Sequence, residues 1–85
     1  MTRYRIVIMK PAKKFIERQT RRNQERLLTA IYRLPYEGDI KRLSGRDNVY
    51  RLRTGDFRVI YSVLDDIVTV AVSKAGNRGD VYKKN

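Results

Sequence analysis

Residues 48–74, NVYRLRTGDFRVIYSVLDDIVTVAVSK, decide how this chain folds. The stretch is dense in β-branched and aromatic residues and is interrupted twice by turn formers, Gly55-Asp56 and Asp65-Asp66. Taken as two-residue hairpin turns, these divide it into strands at 48–54, 57–64 and 67–74. About the first turn, Thr54 faces Phe57, Arg53 faces Arg58, Leu52 faces Val59 and Arg51 faces Ile60. About the second, Val63 faces Val68, Tyr61 faces Val70, Val59 faces Val72 and Arg58 faces Ser73. Side chains alternate along a strand. One face therefore collects Tyr50, Leu52, Phe57, Val59, Tyr61, Val63, Val68, Val70 and Val72, and is the core side. The other collects Arg51, Arg53, Arg58, Ile60, Ser62, Thr69, Ala71 and Ser73.

The arginines thus share a face, with Arg53 and Arg58 directly opposed, which is unfavourable for like charges. The apolar face pins the register that brings them together. The small residues Thr69, Ala71 and Ser73 beside them leave a concave, positive floor. Two readings follow. The arginines are a solvated face screened by salt, or they form a site for phosphate, whose oxygens match the planar donor fork of Arg. No acid falls on that face between 49 and 63, and charges kept for solubility are usually mixed in sign. The phosphate reading is therefore the stronger.

Upstream, residues 3–9, RYRIVIM, alternate as a strand. Pro11 suits the first turn of a helix, in which Ala12, Phe15, Ile16 and Gln19 recur on one side. Thr20 is placed to cap a second helix, from Arg21 to about Leu34, with Leu27, Leu28, Ile31 and Leu34 as its apolar stripe. Pro35 and Gly38 end it, and IKRLSG at 40–45 reads as a short strand. The expected architecture is α+β over a single domain, 1–85: an N-terminal strand, an αα-hairpin, then an antiparallel β-meander, with the helices on one face of the sheet. The outer side of the helical hairpin is basic, with Lys13, Lys14, Arg18, Arg21, Arg22 and Arg26.

Composition narrows the chemistry. The 85 residues hold 20 Lys and Arg against 9 Asp and Glu, a net charge of +11, which favours polyanionic partners. Cysteine and histidine are both absent, so thiolate or histidine zinc sites and histidine bases are excluded. Asp39, Asp47, Asp56, Asp65, Asp66 and Asp80 are expected at turns, without metal-binding spacing. No apolar run is long enough to span a membrane and no signal-peptide pattern opens the sequence, so a cytoplasmic protein is expected.

The segment YRLRTGDFRVIYSVLDDIVTVAVSKAGNRGDVYKK resembles the C-terminal half of the RelE/ParE toxin superfamily, whose hairpin reads Y-[RK]-[IL]-[RK]-x-G-[DN]-[YF]-R-[VL]-[VI]-Y. YRIVIMKPAKKFIERQ and LTAIYRLPYEGDIKRLSG fit the N-terminal half. The resemblance implies a toxin of a type II toxin–antitoxin system. Its RelE branch cuts mRNA in the ribosomal A site without metal or cofactor, by attack of a 2′-OH that gives a 2′,3′-cyclic phosphate and a 5′-OH. The family's catalytic positions fall on Arg53, Arg58, Arg78 and Tyr82, with its other basic hairpin position on Arg51, which would hold substrate; Lys74 is expected beside Tyr82 as a further substrate-binding residue. Arg replaces the usual lysines at Arg51 and Arg53, and Arg stays protonated. These two therefore stabilise charge, and Tyr82 is left to stack on a base or take the 2′-OH proton. The resemblance further implies the 70S ribosome as partner and an acidic RelB-like antitoxin that covers Arg51, Arg53 and Arg58, displaces Tyr82 or makes the complex too bulky for the A site; the basic helix face, by its charge, is expected to contact ribosomal RNA through phosphates. A ParE-like inhibitor of gyrase, without nuclease activity, is the alternative.

Overall fold

A computed structural model of the chain describes residues 2–45 and 47–77. In order, the elements are β1 (Arg5–Ile8), α1 (Lys10–Glu17), α2 (Arg21–Ile31), β2 (Asp39–Arg42), β3 (Val49–Thr54), β4 (Phe57–Leu64), a 3₁₀ turn (Asp65–Ile67) and β5 (Thr69–Asn77). The strands form one sheet in the order β1-β5-β4-β3-β2. The meander from β2 to β5 is antiparallel as expected, whereas β1 lies parallel to β5 and makes the sheet mixed.

Local chemistry sets the helix limits. Pro11 occupies the first turn of α1, where its missing N–H costs no hydrogen bond. The Thr20 hydroxyl accepts from the Asn23 amide at 3.2 Å and starts α2. The Gln24 side chain of α2 reaches back to the carbonyls of Ile16 and Glu17, at 3.1 and 3.3 Å, and satisfies the open end of α1. α2 stops at Ile31, short of Leu34. Leu34 precedes Pro35 and is disfavoured in helical geometry, so the chain tightens through i→i−3 bonds, among them the Leu34 amide to the Ile31 carbonyl at 3.0 Å. Both helices bury their apolar stripes on the predicted sheet face. Ala12, Ile16, Leu27, Ile31 and Leu34 meet Leu52, Phe57, Val59, Tyr61, Val70 and Val72 in one core. Phe15 stands edge-on to Phe57 at 5.8 Å, and Tyr50 stacks on Tyr61 at 5.6 Å. Full burial of each large side chain contributes about 1.5–3 kcal/mol.

The first hairpin pairs as expected, Thr54 with Phe57 through Arg51 with Ile60, around Gly55 at φ +58°. The second does not. Asp65-Asp66 is no two-residue turn, because such turns need positive φ, which Asp tolerates less well than Gly. The chain instead takes a 3₁₀ turn over Asp65–Ile67 and places its one positive φ at Val68, +47°. Leu64 consequently pairs with Thr69, Val63 with Val70 and Tyr61 with Val72. A bulge then falls at Ser73, whose hydroxyl donates to the Ile60 carbonyl at 3.1 Å. Beyond it Ile60 pairs with Lys74, Val59 with Ala75 and Arg58 with Gly76, in place of the expected Ser73.

Candidate functional site

The face of the sheet opposite the helices carries the arginines in two rows. One row runs Asp39, Arg53, Arg58, Gly76, and the next runs Lys41, Arg51, Ile60, Lys74. The bulge creates the second row. Without it, alternation from the buried Val70 and Val72 would turn Lys74 into the core. With it, Lys74 joins the arginine face and Ala75 packs against the core. The β5 positions that end the two rows are therefore Gly76, beside Arg58, and Lys74, beside Ile60, where the sequence suggested Thr69, Ala71 and Ser73.

Sequence reasoning placed no acid among these arginines and assigned Asp39 to a turn. Asp39 instead opens β2, opposite Arg53. Its carboxylate lies 3.8 Å from Arg51 Nη2 and 3.7 Å from Arg53 Nε. It offsets part of the repulsion between Arg51 and Arg53. Both contacts are longer than a charge-assisted hydrogen bond, so the carboxylate balances charge without saturating the donors. The signal was present in "DIK" at 39–41: once Ile40 is set against Leu52, alternation puts Asp39 and Lys41 among the arginines.

Arg51 is 8% exposed and Arg58 5%, unusual burial for charged side chains. Arg58 Nη1 donates to the Phe57 carbonyl at 3.4 Å. Arg51 Nη1 is buried without a hydrogen-bond partner. Such an orphan donor costs about 1–3 kcal/mol, which an incoming acceptor would recover. Both guanidinium groups line an open pocket of about 340 Å³, together with Arg53, Lys41, Arg42, Leu43 and Ser44. Lys41, Arg42 and Ser44 were not singled out from sequence. They enter because β2 and the following loop fold beside β3. Planar donor forks around an open pocket can hold a phosphodiester and stabilise added negative charge on it.

Arg78 and Tyr82 lie outside the described residues. The six cations of the helical hairpin, Lys13, Lys14, Arg18, Arg21, Arg22 and Arg26, are all exposed, and Arg21 has a loose partner in Glu25 at 3.8 Å. The described residues contain no cluster of three or more acidic, His or Cys side chains able to hold a metal, and no described helix is long and apolar enough to cross a membrane.

A sequence model described as "ParE toxin of type II toxin-antitoxin system, parDE" matches residues 6–82. A relative from Methanocaldococcus jannaschii named as a RelE toxin is 51% identical over 45 residues, 53% of this chain and 50% of the relative. The match therefore spans about half the length of that curated relative. Among solved structures, the RelE–RelB complex of the archaeon Pyrococcus horikoshii superposes with a TM-score of 0.78 at 31% identity, over 93% of this chain and 99% of the other. The isolated Escherichia coli RelE toxin superposes with a TM-score of 0.71 at 24% identity, over 93% and 90% of the two chains, and is similar in fold.

Proposed function

Because this chain belongs to the RelE/ParE family of toxins from type II toxin–antitoxin systems, we propose that it is an endoribonuclease that cuts mRNA in the A site of the 70S ribosome. The observation that carries this reading is the orphan Nη1 of buried Arg51, in an open pocket shared with Arg53 and Arg58. Arg53 and Arg51, with Lys41 and Lys74 alongside, hold the scissile phosphate. The 2′-oxygen loses its proton and bonds to phosphorus as the P–O5′ bond breaks. The net transfer is one proton from the 2′-oxygen to the 5′-oxygen, leaving a 2′,3′-cyclic phosphate and a 5′-OH without metal or cofactor. Arg58, fixed by burial, and Arg78 stabilise the charge that develops on the phosphorane. Tyr82 stacks on a base or accepts the 2′-OH proton. The basic helix face, Lys13 through Arg26, contacts ribosomal RNA through phosphates and positions the enzyme without reading sequence. An acidic, RelB-like antitoxin silences the protein in the cytoplasm by covering Arg51, Arg53 and Arg58, by displacing Tyr82, or by adding bulk.

The test is toeprinting of mRNA on programmed ribosomes. Arg53→Ala and Arg58→Ala should each lower the cleavage rate by about 10²–10³-fold, as loss of an oxyanion donor does. Unchanged cleavage in variants whose circular dichroism is native would defeat the reading. One specific observation favours a second reading: the matching family model is named for ParE. A gyrase inhibitor would block supercoiling by purified gyrase while leaving ribosome-bound mRNA intact.

A further inference from the structure

A second concavity lies away from the arginine face, where the end of α2 meets the start of β1. It encloses about 300 Å³ and is lined by Tyr4, Tyr32 and Tyr36 together with Arg3, Arg33 and Glu37. Two of its rings are locked. The Tyr36 hydroxyl donates to the Thr2 carbonyl at 2.6 Å, the Tyr4 hydroxyl donates to the Asp65 carboxylate at 2.7 Å, and the rings meet edge-to-face at 6.0 Å. Tyr32 and Tyr36 remain 62% and 45% exposed, among the most exposed large apolar side chains described. Arg33 also lines a neighbouring groove of about 430 Å³ with Arg22, Arg26 and Thr54. An aromatic pocket thus runs into an arginine track along α2. From Arg22 to Arg33 the track spans roughly 16 Å at the helical rise.

We propose that this pocket and track form a single-stranded RNA site, with an unpaired base stacked on Tyr32 and Tyr36 and the flanking phosphates carried by Arg33, Arg26 and Arg22. Aromatic faces continuous with a basic groove are how sequence-tolerant single-strand binders work. The charge is favourable. The two carboxylates that line the surface are Glu37 and Glu25, and Glu25 pairs with Arg21. An amphipathic peptide fits less well, because the groove beyond Arg33 offers Ala30 as its one apolar lining residue. A phosphodiester chain needs no apolar strip. The inference deepens the ribosomal reading of the basic helices and rests on it for where the RNA comes from, while the binding itself is independent of cleavage. It also enlarges the predicted surface, since Arg33 and the tyrosines lay outside the set of cations picked out by helical pattern.

The experiment uses the full chain and a short, unstructured, labelled 2′-O-methyl RNA, which cannot be cut by 2′-OH attack. The protein has six tyrosines and no tryptophan, so stacking is also read as quenching of tyrosine emission. Tyr32→Ala should weaken binding by about tenfold and reduce the quenching, while Tyr32→Phe keeps both. Arg33→Ala should lower the slope of log affinity against log salt by about 0.7, the value for one phosphate contact on a single strand. If both alanine variants bind like wild type while Arg53→Ala abolishes binding, all the RNA sits on the arginine face and the proposal fails. If Tyr32→Ala acts and Arg53→Ala does not, the track stands and the arginine-face reading falls. Loss of binding to an acidic antitoxin peptide, with RNA affinity unchanged, assigns the surface to a protein partner and overturns the proposal.

Discussion

Asp39 contacts both Arg51 and Arg53, and on the proposed reading, in which these hold a phosphate, its loose contacts make it a competitor for the same donors. Removing its charge with Asp39→Asn should raise affinity for the 2′-O-methyl RNA by roughly 3–10-fold at low salt, since one unfavourable charge near the phosphate is worth about 1 kcal/mol in water. The stability loss should stay below about 1 kcal/mol, because the carboxylate is half-exposed and such pairs contribute little. Binding titrations and denaturant melts check the two parts separately, and weaker RNA binding by the variant would refute the competitor role. The opposed pair Arg53 and Arg58 was legible in the sequence because Gly55-Asp56 fixes the register locally. Asp39 was not legible in that way. Its place depends on β2 finding β3 across the loop at 43–48, a choice made by packing Ile40 against the core.

At the level of elements, the bulge in β5 decides which side chains reach the site. Short-range pattern anticipated five strands and two helices in their order, and the buried face of the helices and of the last three strands. It missed the bulge because SVLDDIVTVAVSKAG alternates plausibly in more than one register, and the choice falls to the turn geometry at Val68 and the Ser73 hydroxyl. Ser73→Ala should cost about 1 kcal/mol of stability, as loss of a side-chain hydrogen bond does. It should also lower activity through Lys74. In a double-mutant cycle on ribosomal cleavage, the effect of Ser73→Ala should largely disappear in a Lys74→Ala background, and Ser73→Thr should restore most of it. Fully additive effects would mean that the hydroxyl does not position Lys74.

Across the whole molecule, apolar burial and charge are separated onto opposite faces of one sheet, so stability should answer to the core more than to the arginines. Tyr61 reports on this. It is almost fully buried, and burial, with a smaller contribution from neighbouring Tyr50, pushes its phenol up to about 12 from an ordinary value of 10.0. Between those values the unfolded chain has lost the proton that the native chain keeps, so stability falls as pH rises from about 10 towards about 12 and is unaffected by this group below that window. Tyr61→Phe should flatten that decline in denaturant melts across the alkaline range, and a slope equal to wild type would show that Tyr61 does not govern it. The parallel pairing of β1 with β5 has a consequence in time as well as in space. β1 is synthesised first, yet its sole neighbour in the sheet is the last strand to be made. Ile6 and Ile8 have no strand to lie against until Val70 and Val72 exist, and Arg58 gains Gly76 beside it only then. A nascent chain therefore cannot complete its arginine face while β5 is still unmade.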